Sequence, residues 1–200
     1  YGLRGIAYTE VGQWDKAVND LSLAIKVDSS NFNAYFYRAH SYENLGRVGE
    51  AIADYTTLTR MQITDARPFI CLGIIQSAKG NLSAAIEITL YGLSRFPENE
   101  TLNVNAGYFI MENGDYDKSI EYLQRSLNTG KNSFDALMGL ALDYYYKQDL
   151  GKSRSYLERA SVYEPRLKKG MDGIADLEMA GFAYSKKDKE TLKKMFEEFK

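Results

Sequence analysis

The chain is poor in the residues that build reactive sites or covalent frameworks. Cys71 is the one cysteine among 200 residues, so no internal disulfide can form. That suits a reducing compartment and equally a bacterial periplasm. His40 is the one histidine, which excludes a multi-histidine metal site. His40 and Cys71 offer a nucleophile–base pair only in principle, because a lone helical cysteine ordinarily serves as a small buried hydrophobe. Gly2-Leu3-Arg4-Gly5 and Gly170-Met171-Asp172-Gly173 match neither a phosphate-binding loop nor a dinucleotide fingerprint. No enzyme activity, cofactor or metal is therefore expected. No apolar run reaches 18 residues, so no membrane span is expected. Three prolines and no Gly/Ser-rich run leave little room for a flexible joint. A net charge of −2 gives no footprint for nucleic acid. Residues 166–200 lean slightly basic and the rest slightly acidic, too mildly to name a polyanion or membrane partner. Asn81-Leu82-Ser83 and Asn99-Glu100-Thr101 fit the glycosylation acceptor pattern, which is short enough to arise by chance. Tyr1 falls already inside a helical pattern, which points to a fragment or processed form whose signal peptide or anchor could have been removed.

What the chain does have is a period. Gly12, Gly46, Gly80 and Gly114 lie 34 residues apart, and the next step lands on Gln148. Other columns keep that spacing. Seven residues earlier stand Gly5, Ala39, Gly73, Gly107 and Ala141, all small. Two residues later come Trp14, Val48, Leu82, Tyr116 and Leu150, and five later Ala17, Ala51, Ala85, Ser119 and Ser153. Nine residues later stand Leu21, Tyr55, Thr89, Leu123 and Leu157. Self-similarity at a period of this size marks a stacked array.

Each unit carries apolar residues at helical spacing, as at Ala51, Ile52, Tyr55 and Leu58. Small residues recur where two helices must cross closely. The glycine between them can take positive φ and end the first helix. Asp15, Asn81 and Asp115 are expected to cap the second helices or shape the turns. One helix pair cannot bury its apolar face alone, so neighbours must stack.

These columns resemble the tetratricopeptide repeat (TPR) family, whose unit is a 34-residue helix–turn–helix. The resemblance covers residues 1 to about 165. Arg4 and Arg38 stand where the family prefers Leu, and Thr89 stands where it prefers Leu or an aromatic. The resemblance implies an all-α, right-handed superhelical solenoid. Five repeats are expected at about 1–31, 32–65, 66–99, 100–133 and 134–167, followed by a divergent sixth helix pair or cap over 166–200. In that stretch Gly170 to about Ser185 reads as a helix. Asp188 reads as the N-cap of a closing helix whose apolar set is Leu192, Met195, Phe196 and Phe199.

The resemblance also implies that first helices line a concave groove. The expected groove residues are Tyr37, His40, Glu43 and Asn44, then Ile74, then Asn105, Tyr108, Met111 and Glu112, and last Leu142, Tyr145 and Tyr146. Tyr and Met are enriched at recognition surfaces. The family's carboxylate-holding groove uses Lys, Arg and Asn at first-helix positions, and of the matching residues only Asn105 fits. The expected function is thus a non-enzymatic scaffold that binds a protein or peptide with apolar anchors. Its alternatives are a self-associating structural array and the repeat arm of a larger enzyme or assembly.

Overall fold

The glycine period becomes a repeated turn. Gly12, Gly46, Gly80 and Gly114 all have positive φ, between 71° and 88°. The amide following each glycine bonds back across the helix end, Gln13 to the Tyr8 carbonyl and Arg47 to that of Tyr42. The glycine amide itself bonds three residues back, Gly12 to Thr9 and Gly46 to Glu43. Together these satisfy the last carbonyls of each first helix. At the fifth turn Gln148 adopts φ 62°, with Asp149 bonded back to Tyr144. A left-handed conformation costs an L-residue about 1–2 kcal/mol, and glycine returns part of that in unfolded-state entropy. Gln148→Gly should therefore raise stability by up to about 1 kcal/mol and the melting temperature by about 2–4 °C, read by calorimetry.

The structure, a computed structural model, describes residues 1–128, 133–170, 172–173 and 186–199. Helices come in pairs: α1 (Gly2–Glu10) with α2 (Trp14–Val27), α3 (Phe32–Asn44) with α4 (Val48–Arg60), and α5 (Arg67–Ala78) with α6 (Leu82–Arg95). Next come α7 (Glu100–Glu112) with α8 (Tyr116–Asn128) and α9 (Phe134–Tyr146) with α10 (Leu150–Tyr163). A 3₁₀ turn, Pro165–Lys169, precedes the final helix α11 (Lys186–Glu198). Among the described residues there is no strand. The fold is an all-α array of the tetratricopeptide type. Two compact units divide it, Tyr1–Phe96 and Pro97–Lys200. The helix expected over Gly170 to Ser185 lies almost wholly outside the described residues.

Small residues sit where the pairs close. A Cβ on Gly5 would meet Leu21 Cγ at 2.6 Å, and one on Gly107 would meet Leu123 Cγ at 2.5 Å. Ala17, Ala39, Ala51, Ala85, Ser119, Ala141 and Ser153 are all fully buried. In the first unit, one cluster joins Val18, Tyr42, Tyr55, Leu58, Leu72 and Ile75. In the second, Leu137, Met138, Leu142, Leu157, Leu192 and Met195 form another.

The caps differ from the sequence expectation. Gln13, not Asp15, precedes α2, and Asp15 occupies its first turn. Asn81 holds the N-cap position of α6 but donates its amide to Gln76 Oε1 instead of capping. Asp115 does accept from the Lys118 amide. Side-chain caps also come from Asn31, Asn99, Ser133 and Asp149, each satisfying a first-turn amide. Helix α11 starts at Lys186, so Asp188 lies in its first turn, where an acid suits the helix dipole.

The two arginines that stand in leucine columns are explained by their partners. Arg38 Nε and Nη2 donate to both oxygens of Asp54, at 2.8 and 2.7 Å, and Nη1 donates to Ser22 at 3.0 Å. Asp54 is buried. Burial opposes the Arg38 charge, and the Asp54 contacts more than offset it, so its pKa rises. Arg4 repeats the fork onto Asp20, sixteen residues on. Thr89 is buried and donates its hydroxyl to the Ala85 carbonyl at 2.8 Å.

Candidate functional site

In the first unit, α3 and α5 bring together most of the expected residues. The Arg67 guanidinium lies 4.3 Å over the Phe36 ring, tying the two helices, and donates to Asp65 at 2.8 Å. Tyr55 donates to Glu43 Oε2 at 2.6 Å. Burial, then Cys71 and Glu43, push the Tyr55 hydroxyl far above its ordinary range, so it remains a donor. Burial also pushes the half-buried Cys71 thiol up, which keeps it protonated and a poor nucleophile. His40 is exposed and meets Trp14 edge-on, ring centroids 6.0 Å apart. The exposed Asn44 donates to the His40 carbonyl at 2.9 Å. Tyr37 is half-buried. Ile74, on α5, leaves 49% of its surface in solvent. This is an apolar and aromatic surface with a polar edge, suited to a side chain that needs a dry seat and a hydrogen bond.

The second unit departs from expectation. Glu112 is exposed and Asn105 half-buried. The Asn105 Nδ2 is buried and has no hydrogen-bond partner among the described residues. Tyr108 donates to the Asp135 carbonyl at 2.9 Å and so ties α7 to α9. Met111, Leu142 and Tyr145 are buried and not available to a partner. The reason is α11, whose Leu192 and Met195 are fully buried in the same cluster. Tyr145 donates to Glu198 at 2.9 Å, and burial followed by that contact raises its pKa. Tyr146 is half-buried and stacks on Tyr116 at 5.0 Å. Its hydroxyl reaches Asp188 at 3.3 Å and Thr191 at 3.1 Å, with the Lys187 ammonium 4.5 Å over its ring. Burial leads the effects that push it up to about 12.

A buried acid lies beneath this surface. Asp143 is fully buried, accepts from the Ser119 hydroxyl and has no partner at Oδ1 among the described residues. Burial pushes its carboxyl up to about 8, against the opposing pull of Ser119 and Lys147. An acid whose folded pKa exceeds its unfolded value favours folding when neutral. Its stabilising proton is lost as pH rises, by at most about 1.4 kcal/mol per pH unit between the two values. Stability should therefore fall from pH 5 to pH 8, and Asp143→Asn should flatten that slope. Urea midpoints at both pH values check it. Parallel slopes would place the carboxyl in its ordinary range.

Residues 5–46 match the TPR repeat family, and residues 32–62 match the tetratricopeptide repeat family. This is a tetratricopeptide repeat protein. No curated protein matches the chain by sequence. The crystal structure of MamA superposes with a TM-score of 0.72 at 19% identity, over 82% of this chain and 96% of that one. YrrB, described as a TPR protein with an unusual peptide-binding site, gives 0.69 at 17% identity, over 87% and 88%. TTC0263, a thermophilic TPR protein of Thermus thermophilus, gives 0.60 at 20% identity, over 90% and 96%.

Within this TPR protein, two features escaped sequence reasoning. The Arg–Asp forks had a readable signal, since Arg4/Asp20 and Arg38/Asp54 repeat a sixteen-residue spacing one period apart. The seat of α11 on α9 had none, because contacts between residues 42 to 53 positions apart leave no periodic trace. Among the described residues, no helix is long and apolar enough to cross a membrane. Nor does any group of three or more His, Cys, Asp or Glu gather there as metal ligands would.

Proposed function

We propose that this tetratricopeptide repeat protein is a non-enzymatic scaffold of five such repeats and a C-terminal cap, and that α3 and α5 capture a protein or peptide segment. The carrying observation is Ile74, a large aliphatic side chain half exposed beside the surface made by Tyr37, His40 and Asn44. An apolar side chain held in water on a rigid helix is a ready anchor point, because nothing need be ordered before binding. Glu43 and, in the other unit, Glu112 put negative charge on first-helix ends. They favour a neutral or basic segment with apolar side chains. The likeness to YrrB supports a peptide-binding reading at the level of fold.

A photo-crosslinking residue at position 74, compared with one at Glu50, tests the location. A partner joined at 74 and not at 50 supports the reading, and the reverse refutes it. With the captured segment in hand, Ile74→Asp should weaken binding at least thirtyfold by calorimetric titration, the size of a central hot spot of about 2 kcal/mol. Circular dichroism should show the fold unchanged.

A further inference from the structure

The first helix pair carries large apolar residues with no cover. Leu3 is 86% exposed, and Tyr1 and Val11 are mostly exposed. One period later their counterparts are Tyr35, Tyr37 and Leu45, and all three are half-buried. Their cover comes from the preceding pair. Tyr35 and Leu45 pack in a cluster containing Val18, and Tyr37 packs against the cluster of Leu21 and Ala24. All three covering residues belong to α2.

The polar groups repeat the same relation. Arg38 lies over the Tyr35 ring at 5.5 Å and forks onto Asp54. Arg4 lies over the Tyr1 ring at 5.6 Å and forks onto Asp20. Arg38 uses its remaining Nη1 on Ser22 of α2. The matching arm of Arg4 faces the side where no helix precedes α1 in the structure, and 59% of its side chain is exposed. The caps differ in the same sense. The Asn31 side chain accepts from the Ala34 amide at the start of α3, whereas α1 has no side-chain cap.

We propose that the face made by Tyr1, Leu3, Arg4 and Val11 is a stacking interface for one further helix pair of the same repeat type. Its second helix takes the place that α2 holds against α3. It presents apolar or small residues in the register of Val18, Leu21 and Ala24, and a hydroxyl in the register of Ser22 that accepts from Arg4. Apolar area and a directed hydrogen bond fix register together, since a shift by one residue breaks both. The inference is independent of the binding surface on α3 and α5.

The test extends the whole chain. A copy of residues 1–34 is placed directly ahead of Tyr1, which reproduces the native junction of Ala34 with Tyr35. A second variant appends a copy of residues 28–34 alone, adding the cap without the second helix. A third carries Ser22→Ala in the appended copy only. Melting temperature and amide exchange across α1 are measured for all three and for the unextended chain, by sedimentation-checked monomer. The full extension should raise the melting temperature by about 4 °C or more and slow α1 exchange at least tenfold. The cap alone should give less than half of that gain, and Ser22→Ala should lower it. An added pair that contributes helicity without protecting α1 overturns the proposal, as does a gain reproduced by the cap alone. Concentration-dependent association of the unextended chain that protects α1 equally would assign the face to a second copy and also overturn it.

Discussion

Arg38→Ala should cost about 3–5 kcal/mol, the penalty for leaving a buried carboxylate without its cation. Asp54 keeps only 5% of its surface in solvent, and both its oxygens are held by Arg38. Truncation also strands the Ser22 hydroxyl contact between the first two helix pairs and removes the cation from the faces of Tyr35 and Tyr42. For a chain of this length the melting temperature should fall by about 6–20 °C. Arg4→Ala serves as the internal comparison, because Arg4 is largely solvated and its pair is screened. It should move the melt far less. The double substitution Arg38→Met with Asp54→Leu should recover most of the loss, since an apolar pair of similar volume dispenses with both desolvation penalties. Equal effects of Arg4→Ala and Arg38→Ala would show that burial does not set the worth of this fork.

A repeat sequence is readable where a constraint recurs. The turns were legible because left-handed backbone selects glycine, and four of the five turns carry it. Pair closure was legible because a crossing at Gly107 or Ala141 admits only small side chains. Those constraints recur every 34 residues, so five weak signals add into one strong one. The candidate surface was legible on α3 and α5 for the same reason. It failed at Met111, Leu142 and Tyr145, which keep the expected register yet lie beneath α11. Periodicity reports what each repeat offers its neighbours and is silent about a non-repeating segment that comes back to cover them. Asp143 was also invisible, because an aspartate near the end of an amphipathic helix looks like any solvated acid until Ser119 and the surrounding core close on it.

Removing α11 should therefore do two things at once. A chain ending at Ser185 loses Leu192 and Met195, both fully buried, and each such side chain contributes about 1.5–3 kcal/mol when taken out of water. The surface it leaves behind, with Leu142, Tyr145 and Met138 in the same cluster, becomes wet. The shortened chain should melt lower, bind a hydrophobic dye and aggregate more readily. Leu192→Ala gives the graded version. A buried Leu-to-Ala change costs about 2–5 kcal/mol, yet the loss cannot exceed the free energy that docks α11, because beyond it the helix simply leaves. A melt lowered equally by Leu192→Ala and by full truncation would put the docking energy at or below that range. Hydrogen exchange separates the cases: undocking should free the amides of α11 while those of α7 and α8 stay protected. Unchanged melting and dye binding on truncation would mean that α11 does not cap the second unit, and that Tyr145 and Leu142 owe their burial to other contacts.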